Sequence, residues 1–143
     1  MAEEKALPAP LSPSEERRWA MWAHLSVLLN IITGSVGVFV PLVIYLIYKE
    51  RSRYVAFQSL QAFIFQLLAW LGAGILAGIA WGVTIGLGVI LVGCLCLPIA
   101  VLLSLIPLGA LVYGVIGGIQ CNQGLDFRYW FLGDWLWKQL EGP

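Results

Sequence analysis

The chain has 143 residues, of which 60% are hydrophobic and 11% charged, with eight basic and eight acidic side chains balancing to zero. A soluble domain of this size carries roughly 25% charged residues and has no means of hiding so much apolar surface. The balanced charge gives no case for a nucleic-acid partner, and no acidic or basic tail stands out. What remains is an all-α chain whose solvent is a lipid bilayer.

The charges are also segregated. No Asp, Glu, Lys or Arg occurs from Trp19 to Tyr48 or from Tyr54 to Leu125. Apolar stretches of about 18 residues or more read as transmembrane helices. Residues 1–11 open with Glu3, Glu4 and Lys5 and carry Pro8 and Pro10, which reads as a disordered lead rather than a signal peptide. Residues 12–124 form the expected transmembrane helical domain and residues 125–143 an aromatic-rich tail.

Ser12-Pro13-Ser14-Glu15 has the form of a capping box, with Ser12 as cap and proline at the first helical position. The helix that starts there runs to about Ile32, and Thr33-Gly34-Ser35-Val36-Gly37 interrupts it. Taken as one helix, the 30 residues from Trp19 to Tyr48 would be about 45 Å long, against a hydrocarbon core of roughly 30 Å. Two short arms broken near Gly34 to Gly37, a helical hairpin, fit better. Arg17 and Arg18 precede the run, and Lys49, Arg51 and Arg53 follow it. Such residues anchor to the cytoplasmic side, and only a hairpin puts both clusters there.

A second run starts at Tyr54 and continues to about Trp81, with a turn expected in the glycine-rich stretch from Gly82 to Gly88. The last run, about Val89 to Gln120, contains Pro98 and Pro107, and Pro98 is a candidate point of division. Cys121-Asn122-Gln123-Gly124 reads as a helix stop. The expected architecture is therefore a polytopic transmembrane bundle of about four helices, a short N-terminal hairpin plus two longer helices, with both termini cytoplasmic. Trp130, Trp135 and Trp137 in the tail suit a segment lying on the inner leaflet.

Gly74, Gly78, Gly82 and Gly86 recur every four residues, and Gly114 and Gly118 repeat the spacing. Residues four apart share a helix face, and glycine there admits a close helix neighbour, within the chain or between copies. His24, Asn30, Gln58, Gln61 and Gln66 are the intramembrane polar groups, expected to hydrogen-bond between helices. His24 is the one histidine, and a haem or pigment ligand is the less favoured reading of it. Cys94 and Cys96 form a C-x-C without a nearby His or carboxylate, so they and Cys121 read as small apolar residues rather than metal ligands. No catalytic triad, carboxylate pair or phosphate loop is present, and no charged residue sits at membrane depth to mark an ion-coupled pathway. No enzyme, cofactor or metal is expected. The expected partners are the lipid bilayer and other membrane proteins or further copies of the chain.

Trp19-Ala20-Met21-Trp22-Ala23-His24-Leu25-Ser26, Pro41 to Lys49, Tyr54 to Gln66 and the Ile106-Pro107 and Asn122-Gln123-Gly124 signals resemble, in order and spacing, a bacterial and archaeal family of small membrane proteins of unknown function. That family is similar to a small component of the chloroplast inner-envelope translocon. The resemblance spans roughly residues 17–125 and implies four helices in a multi-pass protein of the bacterial inner membrane. It implies a translocon-like or channel-forming component, with a small accessory subunit of a larger membrane complex as the alternative. Gln58 and Phe63 stand where members of the family often carry His and Asn, and the aromatic tail is longer than the family needs.

Overall fold

A computed structural model describes residues 9–88 and 93–141. All regular structure among them is helical. Helix α1 (Pro13–Leu25) starts with the expected capping box: Ser12 accepts from the Glu15 amide, and the Ser12 amide donates to Glu15 Oε2 at 2.9 Å. These hydrogen bonds from Ser12 hold the Glu15 carboxyl below its ordinary range. A 3₁₀ turn (Ser26–Leu28) leads into α2 (Leu29–Thr33), and a second (Val36–Val38) leads into α3 (Phe39–Tyr48). The chain reverses between them at Gly34, whose φ of +77° lies in the left-handed region open to glycine. Gly37 then passes so close to the incoming arm that an added β-carbon would meet Ser26 O at 2.5 Å and Asn30 Oδ1 at 2.7 Å. The expected hairpin therefore forms at the expected glycines.

Helix α4 (Arg53–Gln66), capped by Ser52, continues through a π-helical stretch (Leu67–Gly72) into α5 (Ala73–Gly88). The expected turn at Gly82 to Gly88 is corrected here: Gly82 and Gly86 lie inside α5. Nothing in that stretch is polar enough to compete with helical hydrogen bonds, and a turn in lipid would strand backbone groups. Helix α6 (Gly93–Asn122) is unbroken, so Pro98 does not divide the last run. A proline leaves one backbone carbonyl unpaired without ending a helix whose flanking turns hold. Val89, where that run was expected to start, lies outside the described residues.

Two helical stretches, Arg53–Gly88 and Gly93–Asn122, are long and apolar enough to cross a membrane. From Leu68 to Gly88 and along the first half of Gly93–Asn122 the side chains are mostly exposed and apolar, as lipid contact requires. At 36 and 30 residues the two stretches measure about 54 and 45 Å, more than the roughly 30 Å hydrocarbon core. Helices α5 and α6 form an antiparallel pair, tied by the Trp81 indole donating to Ser104 Oγ at 3.0 Å. Helix α1 packs on α6 and α4, and α3 packs on α4, at the other end of that pair.

The cations gather at one end of the bundle. Arg51 donates to Ala9 O, Gly124 lies against the Arg17 side chain, and Arg53 and Arg128 both face the Trp137 ring. The expected disordered lead falls mostly outside the described residues. Its last residue, Leu11, is nearly buried, and its amide donates to Arg51 O. The tail departs furthest from expectation. After Gly124 (φ +81°) the chain runs extended from Leu125 to Tyr129 and then forms α7 (Leu132–Glu141), which packs on α4. Phe127 and Tyr129 are buried in the bundle while Trp130, Phe131 and Trp135 stay exposed, so the first part of the segment joins the core.

The glycines divide into two groups. At Gly114 an added β-carbon would meet Val27 Cγ1 at 2.8 Å, and at Gly118 the Leu25 side chain at 2.9 Å, so both allow α1 to approach α6. Gly74, Gly78, Gly82 and Gly86 face open space, with nothing among the described residues within 4 Å of an added β-carbon. The two groups therefore differ in what they do for the isolated chain. Gly114→Val will lower its stability in detergent by about 1–3 kcal/mol through overpacking, whereas Gly78→Val will change it by less than about 0.5 kcal/mol. Thermal unfolding followed by circular dichroism checks both; equal losses would show that the Gly74 to Gly86 face is also covered.

Candidate functional site: a polar core closed by the C-terminal segment

His24 lies on α1, fully buried, where α1 crosses α4 and α6. Its Nε2 is 3.0 Å from Gln58 Oε1 and its Nδ1 is 3.0 Å from Tyr129 Oη. The partners select the tautomer. Gln58 Oε1 only accepts, so Nε2 carries the proton and Nδ1 accepts from Tyr129. Burial pushes the Tyr129 phenol well up, which keeps it a donor. Both ring nitrogens are thus engaged by protein groups.

Gln58 is the hub. Its Nε2 donates to Asp126 Oδ1 and to Phe127 O, both at 3.1 Å, and its Oε1 also accepts from Gln61 Nε2 at 2.6 Å and from the Cys121 thiol at 3.4 Å. Gln61 adds a second donor to Phe127 O at 2.6 Å, and its Oε1 accepts from the Tyr129 amide at 3.4 Å. The extended tail has no strand partner, so the two glutamine side chains satisfy its backbone in place of a neighbouring strand. Tyr54 Oη donates to Leu125 O at 2.9 Å, two residues before Phe127.

One turn deeper, Gln66 Nε2 donates to Ala23 O and Ser26 Oγ, and its Oε1 accepts from Asn30 Nδ2. Among the described residues, Asn30 Oδ1 and Ser59 Oγ are the buried side-chain polar atoms without a hydrogen-bond partner. Asn30 Oδ1 faces the Gly37 backbone, where a weak C–H···O contact is the available compensation. The five polar residues expected to act between helices are therefore brought together in one region, His24, Gln58 and Gln61 under the tail and Asn30 and Gln66 under the hairpin.

An aromatic cluster seals it. Phe65 stacks on Tyr129 with centroids 3.8 Å apart, while Tyr113 and Phe127 meet Tyr129 edge to face at 5.1 and 4.9 Å. Gly117 makes room for this: an added β-carbon would lie 2.7 Å from Phe127 Cε1 and 3.0 Å from His24 Nδ1. Outside, Arg128 pairs with Asp126 at 2.9 Å and Asp134 at 3.2 Å, and the Asp126 hydrogen bond raises its pKa further. Trp137 meets Phe57 edge to face at 4.9 Å, pinning α7 to α4.

Sequence reasoning missed Gly117, Phe127 and Tyr129. Gly114, Gly117 and Gly118 share one helix face, so the spacing was present. Phe127 and Tyr129 alternate with Asp126 and Arg128, the two-residue period of an extended segment buried on one side. No group of three His, Cys, Asp or Glu side chains able to hold a metal ion occurs among the described residues. Arg17, Arg18, Lys49, Arg51 and Arg53 stand at the capped end of the bundle and take no part in the network.

The arrangement defines a small all-helical protein with two helices able to cross a membrane and a polar core closed by its own C-terminal segment. The chain belongs to the magnetosome magnetite crystal formation protein family, MamF/MmsF, whose sequence profile matches residues 15–136. It is a magnetosome-associated membrane protein by that membership. No curated protein and no solved structure matches the chain. The match reaches through the tail to residue 136, so the aromatic segment belongs to the family domain and is not an addition to it. It carries no link to the chloroplast translocon, and the translocon resemblance is corrected accordingly.

Closure depends on Gln58. Gln58→Leu leaves His24 Nε2 without its partner at about 1–3 kcal/mol and removes one of the two donors to Phe127 O, so the tail will detach more often. Limited proteolysis will cut the Gln58→Leu chain between residues 125 and 131 faster than wild type; equal rates would show that the aromatic contacts alone hold the segment.

Proposed function

We propose that this chain is a non-enzymatic, multi-pass component of the magnetosome membrane that influences how magnetite crystals form, acting as a structural subunit alongside other membrane proteins. The family match over residues 15–136 carries this reading. The geometry supports a structural role. Apart from Asn30 Oδ1 and Ser59 Oγ, the buried polar side-chain atoms of the described residues have hydrogen-bond partners within the protein, an arrangement suited to fixing one shape. A channel would instead need such groups to face an open path.

Both termini lie on the cytoplasmic side. The gathering of Arg17, Arg51, Arg53 and Arg128 at one end supports this, because positive residues are retained there. With Cys94, Cys96 and Cys121 replaced by serine, single cysteines at Lys49 and Lys138 will both be labelled by a membrane-impermeant maleimide on intact isolated magnetosomes, whose cytoplasmic face points outward. Protection of either one contradicts the topology.

The functional test uses a magnetite-forming bacterium. Deleting the gene will change the size or shape distribution of the crystals seen by electron microscopy, and the wild-type chain will restore it. A distribution that deletion leaves unchanged rejects the proposal.

A further inference from the structure

Helices α1 and α3 each pack on α4 but diverge from one another, leaving an elongated groove of about 1100 Å³ between them. The Gly37 approach to Ser26 closes the groove at the hairpin tip. At the other end it is bounded by Trp19 and Tyr48, whose rings lie 4.7 Å apart. Ile44 and Ser26 form its buried floor, while Trp22, Phe39, Val43 and Ile47 form its walls and are each more than half exposed along its open side.

The charged groups lie only at the capped end. Arg18 and Arg51 line the groove there and make no ion pair among the described residues. Glu15 also lines the groove there and lies within the field of both guanidiniums, but it forms no ion pair with either, and its carboxylate accepts from the Ser12 amide and from Ser12 Oγ at 2.9 and 2.7 Å. The Arg51 Nε donates to Ala9 O and its guanidinium lies 5.6 Å from the Tyr48 ring, which orients it while its terminal nitrogens stay without a hydrogen bond among the described residues. Two cations against one carboxylate, a net positive charge, thus stand over an apolar slot. From Arg18 to Leu29 the slot is about 16 Å long, half of the roughly 30 Å hydrocarbon core and so the depth of one leaflet.

We propose that this groove binds one anionic phospholipid, with an acyl chain between α1 and α3 and its phosphate on Arg18 and Arg51. Charge complementarity selects the headgroup and the depth selects a single leaflet. Guanidinium groups hold phosphate oxygens by charge-assisted hydrogen bonds, and Trp19 and Trp22 sit at the level where indole rings meet headgroups. The lipid fills space that neither helix covers and joins the hairpin's two arms.

The test is native mass spectrometry of the full chain released from detergent, titrated with dioleoylphosphatidylglycerol or dioleoylphosphatidylcholine. One phosphatidylglycerol per chain will be retained at a concentration about tenfold or more below that needed for phosphatidylcholine. Arg18→Gln with Arg51→Gln, at two sites outside the core, will abolish the difference between the lipids. Val43→Trp, which fills the groove from its exposed wall, will remove the single adduct of either lipid. Equal retention of the two lipids by wild type overturns the proposal, as does discrimination that survives the double arginine change. A lipid-free dimer whose formation Val43→Trp prevents would assign the groove to a second copy instead.

Discussion

A polar group placed in an apolar core must find a partner or cost folding free energy, and that constraint organises this protein. In water the amide of Gln58 would be solvated at no expense. Buried, it must satisfy two donors and an acceptor at once, and the side chains able to do so come from four different parts of the chain: His24, Gln61, Cys121 and the Asp126–Phe127 backbone and carboxylate. Apolar contacts are not directional, whereas these bonds are, so they select one mutual placement of α1, α4, α6 and the tail. The bilayer enlarges this role, because apolar faces gain little from leaving lipid for protein.

Small residues and polar residues divide the labour. Gly114, Gly117 and Gly118 bring α6 against α1 closely enough for His24 to reach both Gln58 and Tyr129. Without that approach the hydrogen bonds would be too long, and without the hydrogen bonds close approach would have no unique register. The same pairing recurs at the hairpin, where Gly37 lies on Ser26 and Asn30, and Gln66 ties both to α4. Beyond the π-helical stretch the polar residues run out, and so do the contacts between the hairpin and the long pair. Trp70, donating to Gly34 O, marks the boundary. Past it α5 and the first half of α6 carry their apolar side chains outward, including the unfilled Gly74 to Gly86 face.

This division gives the family assignment a physical content. Under the proposed structural role, a defined form and a defined outer surface are what the chain would supply. The network spends its polar groups on form. The tail, ending in an amphipathic α7 with Trp130, Phe131 and Trp135 exposed, supplies a surface at the charged end.

Much was legible in the amino-acid order because it depends on local chemistry. The capping box at Ser12, the hairpin reversal at Gly34 to Gly37 and the stop at Gly124 follow from backbone preferences of single residues. The bilayer as solvent follows from two charge-free runs. The intramembrane polar residues could be named, since an isolated glutamine in such a run has few other uses. Their partners could not be named: His24 and Tyr129 are 105 residues apart, and no local period encodes that meeting. The same limit explains the corrections. Gly82 and Gly86 suggested a turn, yet a helix in lipid has nowhere else to place its backbone hydrogen bonds. Pro98 suggested a break, yet the turns on either side carry α6 through it. The aromatic tail suggested a surface strip, yet a cavity bounded by Gly117, Phe65 and Tyr113 was waiting for Phe127 and Tyr129. The sequence by itself determined the solvent, the helices and the reversals, because these rest on neighbours in the chain. Only the tertiary structure decided which polar groups pair and that the C-terminus completes the core, because hydrogen bonds between distant segments depend on where the helices bring them.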